Sequence, residues 1–146
     1  MCSGFFNFGY QSFFMKKILK PFFIFLVIFF VGTYVCFFSG IVFPWQQEEV
    51  ALTVQEWGGL APFPDNISNV KMSKSGSAFT RSFEIEFDAD ATTIEKWIKD
   101  SRRLKDNKPV YNAGATLFEV YPGEQKATGG TVEVKRNHVK IRMMWS

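Results

Sequence analysis

Residues 79–100 read FTRSFEIEFDADATTIEKWIKD, and this stretch decides the fold of the C-terminal part of the chain. Over residues 79–87 the phenylalanines and Ile85 share one side of a predicted strand, and the acidic residues share the other. Beyond Asp90, or beyond a capping-box start at Thr92, apolar residues recur at helical spacing: Ile94, Trp97, Ile98 and Leu104. The stretch therefore predicts a half-buried strand that leads directly into an amphipathic helix.

Four further strands are predicted around this stretch, at residues 70–74, 116–121, 131–135 and 138–145. The last two form a hairpin, because pairing Val134 with Val139 also places Glu133 opposite Lys140. The predicted order of elements is β-β-α-β-β-β. Residues 65–146 are therefore predicted to form an α+β domain, in which a small antiparallel sheet carries one packed helix.

An uncharged run of 27 residues, from Pro21 to Gln47, precedes this domain. Phe22 to Phe43 is apolar almost throughout, and as a helix it would be about 33 Å long, close to the thickness of a bilayer's hydrocarbon core. The run therefore predicts a transmembrane helix over residues 21–44. Residues 45–64 contain a Gly-Gly pair and two prolines, and they are predicted to be a connector, within which residues 48–57 could form a short helix or strand beside the membrane.

Positive charge before the domain is confined to Lys16, Lys17 and Lys20. These are three of 17 basic residues, so the rest of the chain carries 14 basic and 14 acidic residues and no net charge. The basic excess is thus a topology signal, and we expect no nucleic-acid partner. By the positive-inside rule, residues 1–20 are cytoplasmic and the domain lies outside the cytoplasm, at the inner membrane of a bacterium.

Three alternatives exist for the N-terminal part. The segment could be a cleaved signal peptide, although its apolar stretch exceeds the usual ~7–15 residues. Cys36 could carry a lipid, although the residues before it lack the small side chain expected there. Translation could begin at Met15, where the sequence MKKILK resembles a natural start. Cys36 and Cys2 both precede the domain, which therefore has no thiol or disulfide chemistry.

Three acidic residues of the predicted strand region, Glu84, Glu86 and Asp88, share its solvent-facing side at a spacing of ~7 Å. Paired carboxylates ~5–9 Å apart carry out glycoside hydrolysis. A domain of this size with one helix leaves little room for a substrate cleft, so the solvent face of a half-buried strand is the simpler interpretation. A small membrane-anchored hydrolase that uses these carboxylates is kept as an alternative function.

The other candidate residues also have simpler structural interpretations. His138, the only histidine, follows a predicted hairpin turn among basic residues and is interpreted as a solvated side chain. Asp88 and Asp90 could hold a hard cation, but a helix cap and a solvated carboxylate are the favoured explanation. A basic cluster complements the dipole at the helix end: Arg102, Arg103 and Lys105. We therefore predict no catalytic, cofactor-binding or metal-binding residue, and no cofactor.

Three segments carry a resemblance to a group of known proteins. FPDNISNV at 63–70, FEIEF at 83–87 and IEKWI at 94–98 resemble segments of small bacterial envelope proteins of unknown function. These proteins join an N-terminal anchor or lipoprotein signal to a compact α+β domain. The resemblance implies an envelope location and the same fold class, and it carries over no functional residue.

The sequence therefore predicts a membrane-tethered, non-enzymatic accessory or binding module outside the cytoplasm. Its expected partners are the membrane, through the single-pass anchor, and another protein of the envelope. A second hypothesis is an immunity-type protein or inhibitor that acts against an exported toxin or hydrolase. The carboxylate hydrolase is the third.

Overall fold

The computed structural model describes the backbone of residues 9–77 and 79–146, and the side chains of residues 19–35, 39–77 and 79–146. The chain divides into two compact units, Met1–Phe37 and Phe38–Ser146. All strands of the described part belong to the second unit.

The first unit is built on helix α1, Gly9–Phe38, whose described side chains are mainly apolar and exposed. Among the residues that the structure describes, no helix is both long and apolar enough to cross a membrane. The transmembrane helix predicted for residues 21–44, and the single-pass topology built on it, are therefore wrong for this part of the chain. The helix ends at Phe38, before residue 44, the predicted end of the span. A bend, a bridge at Ile41 and a 3-10 turn at Pro44–Gln46 follow it.

The second unit is built on one six-stranded sheet. Its strands are β1 Ser68–Gly76, β2 Arg81–Asp88, β3 Val110–Asn112, β4 Ala115–Val120, β5 Gly129–Lys135 and β6 His138–Trp145. The order across the sheet is β1-β2-β6-β5-β4-β3, and every neighbouring pair is antiparallel. Strands β2 and β6 are distant in sequence but adjacent in space, so their pairing joins the two halves of the unit.

Three helices follow α1 in the second unit: α2 Gln47–Gly58, α3 Ala91–Asp100 and α4 Arg102–Lys105. Their buried side chains join the inward-facing residues of the strands in one apolar core: Val50 and Val54 of α2, Ile94 and Trp97 of α3, Leu104 of α4, Ile85 and Phe87 of β2, Val139, Ile141 and Met143 of β6. Each large apolar side chain buried in this way contributes about 1.5–3 kcal/mol to folding. The helices therefore cover one face of the sheet.

Residues 45–64, which were expected to be a connector, are part of this core. Val54 of α2 is completely buried, and the helix ends where Gly59 adopts a left-handed conformation (φ 57°). Beyond it, the Trp97 indole donates to the Ala61 carbonyl at 3.1 Å, and the Ala61 amide donates to the buried Ser101 hydroxyl at 3.0 Å. The compact unit thus begins well before residue 65, the predicted start of the domain.

The predicted antiparallel sheet and its hairpin are confirmed. Val134 pairs with Val139 and Glu133 pairs with Lys140, in the register that the sequence indicates. Asp90, rather than Thr92, caps α3, and it accepts a hydrogen bond from the Thr93 amide at 3.0 Å. The prediction of a single packed helix is wrong, because α2 belongs to the core rather than to a connector and α4 was not expected. The number of strands is also wrong, because the three-residue β3 was not expected.

Phe79 is the one aromatic residue of the predicted strand that the structure places differently. Strand β2 begins at Arg81, so Phe79 lies in the turn between β1 and β2, where 81% of its surface is exposed. The remaining apolar residues of the strand, from Phe83 to Phe87, face the core as predicted. The residues of the turn continue the alternating pattern of the strand, so the sequence places the start of the strand too early.

Candidate functional site

The face of the sheet opposite the helices carries the candidate site. Side chains alternate along each strand, so the residues between the core positions point the other way. We call this surface the open face, and it comprises Lys71, Ser73 and Ser75 of β1, Ser82, Glu84, Glu86 and Asp88 of β2, and His138, Lys140, Arg142 and Met144 of β6. Most of these side chains are polar or charged, in contrast to the apolar core face of the same strands.

Four charges at the centre of the open face form one network. The register pairs Glu84 with Arg142 and Glu86 with Lys140. Lys140 Nζ donates to Oε1 of both glutamates at 2.9 Å, and Arg142 donates to Glu84 Oε2 from Nε at 3.2 Å and from Nη2 at 2.8 Å. Two cations therefore neutralise two anions and hold all four side chains in place.

The network shifts the pKa of two of its members, Glu84 and Lys140. Partial burial alone would raise the pKa of Glu84, but the hydrogen bonds from Lys140 and Arg142 outweigh it and lower that pKa below its ordinary value of 4.5. The pKa of Lys140 is raised by its hydrogen bonds to Glu86 and Glu84. Glu84 is therefore a carboxylate at neutral pH. Because glycoside hydrolysis needs one protonated carboxyl group as a proton donor, this environment does not favour Glu84 in that role.

The third acidic residue of the strand, Asp88, holds the histidine. Asp88 Oδ1 lies 2.7 Å from His138 Nδ1, and Asn69 Nδ2 donates to Oδ2, also at 2.7 Å. The hydrogen bond from Asn69, and then that from His138, lowers the pKa of Asp88. An imidazole that is held by a carboxylate can act as the base that activates a serine nucleophile. The neighbouring Ser68 hydroxyl, however, contacts the backbone carbonyl of Asp88 at 3.5 Å and not the imidazole, so Ser68 does not form such a site with His138.

Sequence reasoning treated His138 as a solvated side chain and missed its partner. Both residues of the pair remain partly exposed, with 45% of the His138 side chain and 35% of the Asp88 side chain accessible. The contact follows from the pairing of Asp88 with His138 at the ends of β2 and β6. Since these strands are 50 residues apart in the chain, no local pattern reveals the contact.

Asp90 has its carboxylate oxygens engaged at the start of α3. It accepts hydrogen bonds from the Thr93 amide at 3.0 Å, from the Thr93 hydroxyl at 2.6 Å and from the Thr92 hydroxyl. These bonds, led by that from Thr92, lower its pKa strongly. Among the described residues, no group of three or more histidine, cysteine, aspartate or glutamate side chains is placed to hold a metal ion. Asp88 and Asp90 are thus accounted for by a histidine contact and a helix cap.

Two cations of the basic cluster at the end of the helical segment are paired within the domain. Arg102 Nη2 and Arg103 Nε both contact the Glu124 carboxylate, the latter at 3.0 Å. The Glu124 amide in turn donates to the Trp57 carbonyl at 2.8 Å. Two of the three cations of this cluster therefore join α4 to the 121–128 loop rather than standing free for a partner. The Glu124 amide joins the same loop to α2.

A shallow hollow lies beside the charge network, between β1, β2 and β6. We call it the serine hollow, and it is lined by Ser73, Ser75, Ser82, Glu84, Arg142 and Met144. Its volume is about 240 Å³. Ser75 Oγ and Ser82 Oγ share a hydrogen bond of 2.7 Å across the two strands. Sequence reasoning did not find this hollow, because the serines lie on β1 and β2 while the arginine comes from β6.

The resemblance of the chain to small bacterial envelope proteins stays a prediction. No protein-family model matches this chain, and no curated protein or solved structure is similar to it.

Proposed function

We propose that this chain is a non-enzymatic binding module of a bacterial cell envelope, which presents the open face to another envelope component. One observation carries the proposal: the central charges of that face, Glu84, Glu86, Lys140 and Arg142, are held by one another. Side chains fixed before binding lose less conformational entropy when a partner arrives. The same pairing keeps Glu84 ionised and so supports recognition rather than proton transfer.

The location in the envelope rests on the sequence. Three segments, at 63–70, 83–87 and 94–98, resemble segments of small bacterial envelope proteins. We therefore place the domain outside the cytoplasm. An epitope inserted after Gly114, a turn glycine with no neighbour near its Cβ position, tests this placement. In intact cells with a permeable outer layer, an external protease removes the epitope if the domain is outside. Protection of the epitope there, with cleavage after lysis, contradicts the placement.

Position-specific photo-crosslinking in living cells tests binding at the open face. A photoreactive amino acid replaces Lys71, an exposed residue of the open face, in the full-length chain. The matched control carries it at Lys99, an exposed lysine of α3 on the helical side of the sheet. We expect a discrete crosslinked product from position 71 and none of that size from position 99. Identical products from both positions, or none from either, contradict the proposal.

A further inference from the structure

We propose that the serine hollow binds a neutral, polyhydroxylated ligand, that is, one ring of a carbohydrate. The inference rests on the proposed function, since it assigns a ligand class to part of the same open face. It is drawn from the shape of the hollow, from its mixture of hydrogen-bond donors and acceptors, and from its balanced charge.

The shape follows from residue size on three paired strands. Ser75 lies opposite Ser82, and Ser73 lies opposite Glu84, so small side chains occupy adjacent positions on β1 and β2. On the next strand, Met144 lies opposite Ser82 and Arg142 opposite Glu84. Short side chains beside long ones leave the depression of about 240 Å³. This is smaller than the ~300–1,000 Å³ of drug-sized sites, so it suits one ring of a ligand whose remainder stays in solvent.

The hollow offers hydrogen-bond donors and acceptors side by side. An arginine has five N–H groups, and the Nε and Nη2 contacts of Arg142 to Glu84 use two of them. The Ser75–Ser82 hydrogen bond consumes one of the two hydroxyl protons of that pair, and each serine oxygen carries two lone pairs that can accept. Glu84 already accepts one bond at Oε1 and two at Oε2. A ligand with many hydroxyl groups, each of which donates and accepts, complements this arrangement.

The charge balance distinguishes a neutral ligand from an anion. Arg142, the cation that lines the hollow, is paired with Glu84, and Lys140 of the same network is paired with Glu84 and Glu86. The network therefore has no net positive charge with which to attract a phosphate or sulfate. Met144 adds an apolar, polarizable edge against which the C–H surface of a sugar ring packs. Hydroxyl donors, an ionic pair and one apolar edge together fit a carbohydrate.

Saturation-transfer NMR with the full-length chain and N,N′-diacetylchitobiose tests the inference. This disaccharide is neutral, and its hydroxyl and amide groups both donate and accept hydrogen bonds, as the groups that line the hollow do. We expect saturable binding with a Kd on the order of 1 mM. Inorganic phosphate at equal concentration should not compete, because the network is neutral.

Two variants locate the binding in the hollow. Arg142→Met removes the remaining guanidinium donors, and we expect it to raise the Kd at least about tenfold, the equivalent of one lost hydrogen bond to a charged group. Ser73→Val fills the hollow from an exposed position of an edge strand, where a β-branched residue is well tolerated, and should weaken binding to a similar degree. Ser68→Val, the same change at the far end of β1, is the control and should leave the Kd unchanged. If Arg142→Met fails to fold, Ser73→Val decides the question.

Several results overturn the inference: no saturable signal up to the order of 10 mM disaccharide, a Kd that Ser73→Val leaves unchanged, or displacement of the sugar by phosphate. The crosslinking experiment at position 71 separates these results from failure of the proposed function. A crosslinked product from position 71 of the wild-type chain, together with no saturable sugar binding by that chain, removes the ligand class and leaves the binding module. If neither the crosslinked product nor sugar binding is observed, both the binding module and its ligand class are contradicted.

Discussion

Strands β2 and β6 present two faces whose side chains are held by different interactions, apolar burial on one and ion pairs on the other. On the core face, Ile85 and Phe87 meet Val139 and Ile141, all fully buried. On the open face, the intervening residues meet as ion pairs that remain partly exposed to water. Burial of apolar surface is non-directional, whereas each ion pair needs a particular partner at a particular position. The core face therefore supplies most of the stability, and the open face supplies specific chemistry.

The largest effect is expected on the core face. Phe87→Ala removes a fully buried ring that contacts Trp97 edge to face at a centroid distance of 5.8 Å. The lost transfer free energy and the cavity left behind should lower the free energy of unfolding by about 3–5 kcal/mol. Chemical denaturation of the purified chain, followed by tryptophan fluorescence, measures the change.

Phe79→Ala is the matched control for that experiment, because the same side chain is 81% exposed in the turn before β2. We expect it to leave the free energy of unfolding nearly unchanged, within about 0.5 kcal/mol. Equal losses for Phe79→Ala and Phe87→Ala would show that the two phenylalanines share an environment, and would contradict the observed start of β2 at Arg81.

The sequence predicts the core face well, because its signal is local. Alternation over residues 83–87 and helical spacing after Asp90 identify inward side chains without knowledge of what they meet. The hairpin register over β5 and β6 is predictable for the same reason, since its two strands are neighbours in the chain. Helix α2 is predicted only as a short helix or strand within the connector, because Gly58-Gly59 and the prolines beyond it interrupt the apolar pattern that begins at Val50 and Val54.

The open face is predicted only as a solvent-facing surface. Its acidic side is visible in the sequence, but the partners come from β6, more than 50 residues away. The predicted pairing of Glu133 with Lys140 has the right register. The Lys140 ammonium nevertheless donates to the two glutamates of β2, because it lies between two acidic neighbours and Glu84 and Glu86 together offer it two acceptors. Non-local pairing therefore decides the site, and no local rule anticipates it.

A smaller effect is expected where the chain passes from the open face to the helix that covers the core. Asp90→Ala removes the side-chain cap of α3, and the midpoint of thermal unfolding should fall by a few degrees. Thr92→Ala should have less effect, because Thr92 only donates to the Asp90 carboxylate. Circular dichroism on heating compares the two variants. A larger loss for Thr92→Ala would support the capping-box start instead.

The smallest effect is expected on the open face, for Glu84→Gln. The network is partly exposed, so solvent screens it and the loss at neutral pH should stay below about 1 kcal/mol. The pKa of Glu84 is lower in the folded state, so its stabilising contribution is present above pH 4.5 and is lost as the pH falls through the folded value. The difference between wild type and variant should therefore shrink below pH 4.5 and in high salt. Glu95→Gln, on the exposed side of α3, should show no such convergence. A difference that persists at low pH would mean that packing, rather than charge, holds Glu84 in place.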